Sequence, residues 1–147
     1  MAVQNPPEGY RTITANIIVD GADGVIEFLG KVFEGRERVR MPAPDGKVAH
    51  AEVEIGDSVV MVADASEQFP VFPASVHVYM DGVDDAYSRA LEAGATSIME
   101  PADQFYGDRS AVVVDPFGNQ WSIATHVEDV SEEEMDRRMT AIGQPDS

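Results

Sequence analysis

The chain has 147 residues, with 10 lysines and arginines against 27 aspartates and glutamates, a formal charge of −17 and no cysteine. That length suits one domain with a substantial apolar interior, while the acidic balance repels phosphate backbones and anionic membranes and favours cationic ligands. The missing cysteines exclude disulfides, thiolate zinc sites and a cysteine nucleophile.

The N-terminal stretch "MAVQNPPEGYRTITANIIVD" lacks a basic start followed by an apolar run, and no stretch of the chain approaches the roughly 18 apolar residues of a membrane span. The expectation is a soluble cytoplasmic protein with neither nucleic acid nor membrane as partner. Alternating apolar residues in "ITANIIVD" predict a strand, and Val25, Phe28, Leu29, Val32 and Phe33 then follow helical spacing. After Gly35 come "RERVRM", the polar loop "PAPDGK" and a hairpin, "AHAEVEIGDSVVMVAD".

"SEQFPVFP" reads as a linker because of its two prolines. The pattern then starts again. "SVHVYMDGVDDAYSRALEAGA" predicts strand, turn and a helix with Val83, Ala86, Tyr87, Ala90 and Leu91 on one face, and Asp81-Gly82 repeats Asp20-Gly21 at an offset of 61 residues. "TSIME", a loop and the hairpin "YGDRSAVVVDPFGNQWSIATH" complete the second copy. The chain is thus read as a single α+β domain, residues 1–147, built from two βαβββ modules at about 12–65 and 74–126, joined by a linker at 66–73. They are expected to form two matching sheets, each with a helix on its outer face. Beyond them "SEEEMDRRMTAIG" predicts a packing helix over about 131–143, with Ser131 and Glu134 as a capping box and Met135, Met139 and Ile142 as an apolar stripe.

Strand alternation separates the two faces of each sheet. Ile13, Ala15, Ile17 and Val19 are expected against the helices, with Thr14, Asn16 and Ile18 opposite. In the repeat, Val76, Val78 and Met80 take the helix side, and Ser75, His77 and Tyr79 the other. In "HAEVEI", Ala51, Val53 and Ile55 go to the core while His50, Glu52 and Glu54 face away. If the faces without helices curl around a pocket, Asn16, His50, Glu52, His77 and Tyr79 become its polar fittings; otherwise they form the wet side of an open sheet. Asp108 and Arg109 are read as ties between loop and sheet, His126 as an end-packing residue and Trp121 as core. Ser110 and Ser122 lie in no nucleophile elbow, and the glycine turns lack the order of a phosphate-binding loop.

The paired units, "DGVDDAYSRALEAGA" and "DPFGN" resemble the vicinal oxygen chelate superfamily of glyoxalases, bleomycin-resistance proteins and extradiol dioxygenases; "PDGKVAHAEVEIGDSVVMVAD" and the last hairpin are similar to its PhnB-like branch. The resemblance spans roughly residues 10–130 and implies mixed sheets curled into a cup, often completed across a homodimer, with a divalent metal held by the first and last strands of each unit. Carried over, those metal positions fall on Thr14 or Ala15, Ser75, Val60 or Met61, and Ser122. None is an imidazole or a carboxylate, so the standard metal site is expected to be absent. The implied function is small-molecule binding at Asn16, His50, Glu52, His77, Tyr79 and Ser122, the ligand cationic or aromatic. The alternative is a lyase, isomerase or transferase with a relocated divalent metal at His50, Glu52 and His77, or with a histidine as general base.

Overall fold

The computed structural model describes residues 2–143. Its elements run β1 (Asn16–Val19), α1 (Ala22–Phe33), β2 (Arg36–Pro42), β3 (Val48–Ile55), β4 (Ser58–Asp64), β5 (Ser75–Tyr79), α2 (Val83–Glu92), β6 (Thr96–Asp103), β7 (Asp108–Val114), β8 (Gln120–His126) and α3 (Glu132–Ile142). They make two four-stranded mixed sheets, ordered β1-β4-β3-β2 and β5-β8-β7-β6. In each sheet the first strand lies parallel to the last and the other pairs are antiparallel. The fold is α+β with two sheets of the same strand order and a C-terminal helix.

Helix α1 buries Val25, Phe28, Leu29, Val32 and Phe33 against its sheet, the stripe its spacing predicts. Gly21 precedes it in a left-handed conformation and provides no side-chain cap. The orphan amides of Gly21 and Ala22 are met instead by Asp64 Oδ1 at the end of β4, 2.9 Å from each. A carboxylate there also complements the positive end of the helix dipole. Asp64 Oδ2 accepts the Val48 amide at 2.8 Å, so one side chain ties the starts of α1 and β3 to the end of β4.

The two halves meet through their helical sides. Helix α1 contacts α2, Arg89 of α2 donates to the Val32 carbonyl at 2.8 Å, and the fully buried Trp121 of β8 packs against Phe28 and Phe33 of α1. The β7–β8 turn holds that seam. Buried Asp115 accepts hydrogen bonds from the amides of Phe117 and Asn119, from Asn119 Nδ2 and from Trp121 Nε1, all between 2.8 and 3.0 Å. Asn119 Oδ1 in turn accepts the Ala74 amide at 3.0 Å. The turn presents Phe117 to α1, where a Cβ on Gly24 would lie 2.1 Å from the ring. Only glycine leaves room for that ring.

Three expectations change. Ile13 is 89% exposed, because β1 begins pairing only at Asn16 and nothing constrains alternation before it. Leu91 is 39% exposed, since α2 buries the narrower stripe Val83, Ala86 and Ala90. Ser131 caps α3 through the Glu134 amide, but no α3 residue is buried and the Glu134 carboxylate turns to Arg137 and Arg138. The helix is fastened by Arg138, which reaches the Phe105 carbonyl and Glu128.

Gly24→Val is expected to destabilise the fold by about 1–3 kcal/mol through overpacking against Phe117. In a double-mutant cycle read by chemical denaturation, adding Phe117→Ala should recover part of that loss; strictly additive effects would show that this contact does not limit the seam.

Candidate functional site

Strand register places the polar residues of the faces that carry no helix. In the first sheet Asn16 pairs with Met61 and Met61 with Glu52, giving one row across β1, β4 and β3. In the second, His77 pairs with Ser122 and Ser122 with Val112. The rows correspond at the 61-residue offset, so Asn16 and His77 are equivalent, as are Met61 and Ser122. Ile18 pairs with Ala63 and Tyr79 with Ala124, one step along each face.

Two hollows receive these side chains. The first, of about 350 Å³, lies on the first sheet and includes Asn16, Ile18, Lys47, His50, Asp64 and Phe69 in its lining. The second is a groove of about 880 Å³ between the halves, where Phe33, Val60, His77, Val78, Tyr79 and Trp121 contribute. Asn16 and His50 are therefore brought together, as are His77 and Tyr79, but the two pairs are not. Because the halves contact through their helical sides, the faces without helices do not meet within one chain.

The set His50, Glu52 and His77 is accordingly not assembled, and among the described residues no three histidine, aspartate or glutamate side chains gather in a metal-binding arrangement. Thr14, Ala15, Val60, Met61, Ser75 and Ser122, the positions where the resemblance would put a metal, carry hydroxyl, thioether or aliphatic groups, which do not fit a zinc, iron or nickel ion. Glu52 is moreover engaged. It meets His50 Nε2 at 2.9 Å and Arg38 at 3.4 Å, with its side chain 13% exposed. The N-terminal segment lays Tyr10 over it: the buried hydroxyl, without a partner at full hydrogen-bond geometry, faces the carboxylate, and the ring lies under the Arg38 guanidinium at 5.4 Å. Burial and the neighbouring carboxylate push the Tyr10 phenol up to about 12, while Tyr10 and then His50 hold Glu52 below the ordinary carboxylate range.

A second polar cluster occupies the other sheet. Asp108, only 4% exposed, accepts the Tyr79 hydroxyl at 3.0 Å and His126 Nδ1 at 2.7 Å, and His126 Nε2 meets Asp129 at 2.8 Å. The His77 ring packs edge-on against Tyr79, 4.7 Å between centres. The bond from His126 is the main cause holding Asp108 below its usual range, and Asp108, then Asp129, raise His126 above 6.5. Tyr79 is raised by its bond to Asp108, so it stays a neutral phenol at physiological pH. Sequence reasoning does not single out the Asp108–His126 pair as a unit. Counting pairs outward from the Asp115–Asn119 turn finds it, since Asp108 is the register partner of His126. Arg109, expected to tie loop to sheet, bridges Asp84 and Asp103.

The chain matches the Glyoxalase/Bleomycin resistance protein/Dioxygenase superfamily over residues 12–123. An uncharacterized protein of Mycobacterium bovis is 36% identical over 142 residues, covering 89% of this chain and 93% of that one. Among solved structures, TioX from Micromonospora sp. ML1 superposes with a TM-score of 0.67 at 27% identity, over 80% of this chain and 99% of that chain. A PhnB protein from Bacillus cereus shares the fold with a TM-score of 0.61 at 14% identity, over 78% and 99%. With two sheets of identical strand order and this match, the protein belongs to the glyoxalase/bleomycin resistance/dioxygenase superfamily.

With both nitrogens facing carboxylates, His126 stabilises the fold in its charged form. Its folded pKa is raised, so the contribution is fully present below the unfolded value near 6.5 and is lost as pH rises through the folded value. The stability difference between wild type and His126→Gln should therefore be larger at pH 6 than at pH 9 in parallel thermal melts. An equal difference at both pH values would remove the charge from the account.

Proposed function

We propose that the protein binds a small cationic or aromatic molecule, without the superfamily's standard metal site, in a cup formed when the first half of one chain faces the second half of its partner in a homodimer. The observation that carries the reading is the matched pair of rows, Asn16–Met61–Glu52 and His77–Ser122–Val112, on faces that no helix covers and that do not meet within a chain. Facing each other across a dimer, they would enclose Asn16, His50, Glu52, His77, Tyr79 and Ser122 around one ligand. The outer edges of β1 and β5 border the same faces, and in both sheets these strands end the order.

On this reading the chain acts as one vicinal-oxygen-chelate domain of the PhnB-like branch, working in the cytoplasm; no helix among the described residues is long and apolar enough to cross a membrane. Favourable charge comes from the whole surface, at −17. A second reading, a metal-free lyase or isomerase, is supported by His77. Its ring is exposed beside a phenol whose proton is committed to Asp108, so an imidazole base stands next to a neutral oxygen oriented to accept a hydrogen bond.

Thermal-shift screening against organic cations, neutral aromatic compounds and glyoxalase-type substrates tests both. A true ligand at 100 times its dissociation constant should add about 2.7 kcal/mol to stability, a rise of several degrees for a chain of this size. His77→Ala should weaken that binding about tenfold, and sedimentation should show twice the chain mass. A monomer at micromolar concentration whose best ligand ignores His77→Ala would defeat the shared cup; turnover abolished by His77→Ala would favour the enzyme.

A further inference from the structure

Resting on the small-molecule reading above, we infer that the hollow on the first sheet is a slot for a flat aromatic cation, with Phe69 of the linker as its stacking wall. Phe69 is 57% exposed, an arrangement that costs apolar surface in water unless something covers it. The linker is not loose at this point. The Ser66 hydroxyl accepts the Phe69 amide at 3.1 Å, the Ser66 amide donates to the Phe69 carbonyl at 2.8 Å, and the Phe72 amide donates to the Ile18 carbonyl at 3.0 Å, pinning the linker to the edge of β1. Two anchors therefore hold an uncovered aromatic side chain at the rim of a hollow.

The rest of the lining suits a flat ring. Ile18, Ala63 and Ala65 keep the floor low, and the volume of about 350 Å³ admits a two- or three-ring system. Ring against Phe69 is an aromatic contact worth more when the ring carries positive charge. The charge balance points the same way. Asp45 and Asp64 line the hollow against one cation, Lys47, and among the described residues Asp64 Oδ2 accepts a single hydrogen bond, from the Val48 amide, which leaves it able to take a proton-bearing ring nitrogen or amine. Asn16 supplies an amide whose side chain makes no hydrogen bond among the described residues, and His50, tied through Nε2 to Glu52, has no hydrogen bond at Nδ1 among them. The class of ligand is thus a planar heteroaromatic cation that donates hydrogen bonds from its edge.

The test uses proflavine, a flat tricyclic cation, with anthraquinone-2-sulfonate as a flat anion and tetraethylammonium as a cation without a ring, at about 0.15 M salt so that unspecific attraction to the acidic surface is screened. Fluorescence titration of the full chain should give saturable proflavine binding, weakened at least tenfold by Phe69→Ala and abolished by Ala63→Leu, which fills the floor; the other two probes should not compete. Phe69 is exposed and Ala63 is half-buried on an uncovered face, so both variants should fold, as melting curves would verify. Proflavine binding that is unsaturable, or unchanged in both variants, overturns the slot. Binding lost only in His77→Ala also overturns the slot while leaving the shared-cup reading intact. Absence of proflavine binding, together with stabilisation by some other screened compound, has the same meaning; no stabilisation by anything in either screen removes both.

Discussion

The Asp115 carboxylate is the constraint on which the arrangement of the two halves rests. Four donors converge on it, three from a turn of five residues and one from Trp121; the Phe117 amide is partly buried and the other three would be unsatisfied buried groups without it. Satisfying them fixes the turn, and the turn delivers Phe117 onto Gly24 and Trp121 onto Phe28 and Phe33. The helical sides of the two halves therefore meet, which leaves the other faces pointing elsewhere. Together with the Arg89–Val32 contact, this turn sets how the candidate residues of the two halves are disposed.

The two halves repeat one plan but spend their polar residues differently. In the first, Asp64 secures a helix start and Glu52 is closed over by Tyr10, Arg38 and His50. In the second, Asp108 organises Tyr79 and His126 near the base of the C-terminal segment. Both are partly or fully buried carboxylates on a sheet face, each compensated by neighbours, yet they occupy different positions in the repeat. The two halves share the rows of backbone pairing and not the side-chain chemistry, so one scaffold carries two different polar sites.

The sheets, helices and repeat were legible because they rest on local periodicity: the Val25–Phe33 stripe and the "HAEVEI" alternation each point to one answer. The core position of Trp121 followed from its neighbour Ser122 by the same logic. What could not be read was which faces meet. That depends on Gly24 receiving Phe117, a contact between residues 93 positions apart whose only local sign is a glycine inside a helix. Hence His50, Glu52 and His77, the alternative metal set, are split: His50 and Glu52 meet in the first half, and His77 lies in the second. Ile13 failed for a smaller reason, since alternation predicts orientation only where a partner strand enforces it.

Asp64 joins the hollow on the first sheet to the start of α1. It lines the hollow on the first sheet and also holds the amides of Gly21 and Ala22, in the same first turn of α1 whose Gly24 meets Phe117. Occupancy of the hollow is thus mechanically continuous with the first turn of α1 and with the seam beyond it. Amide exchange at Gly21 and Ala22 would report on that single helical turn, through which Asp64 connects the hollow with the seam.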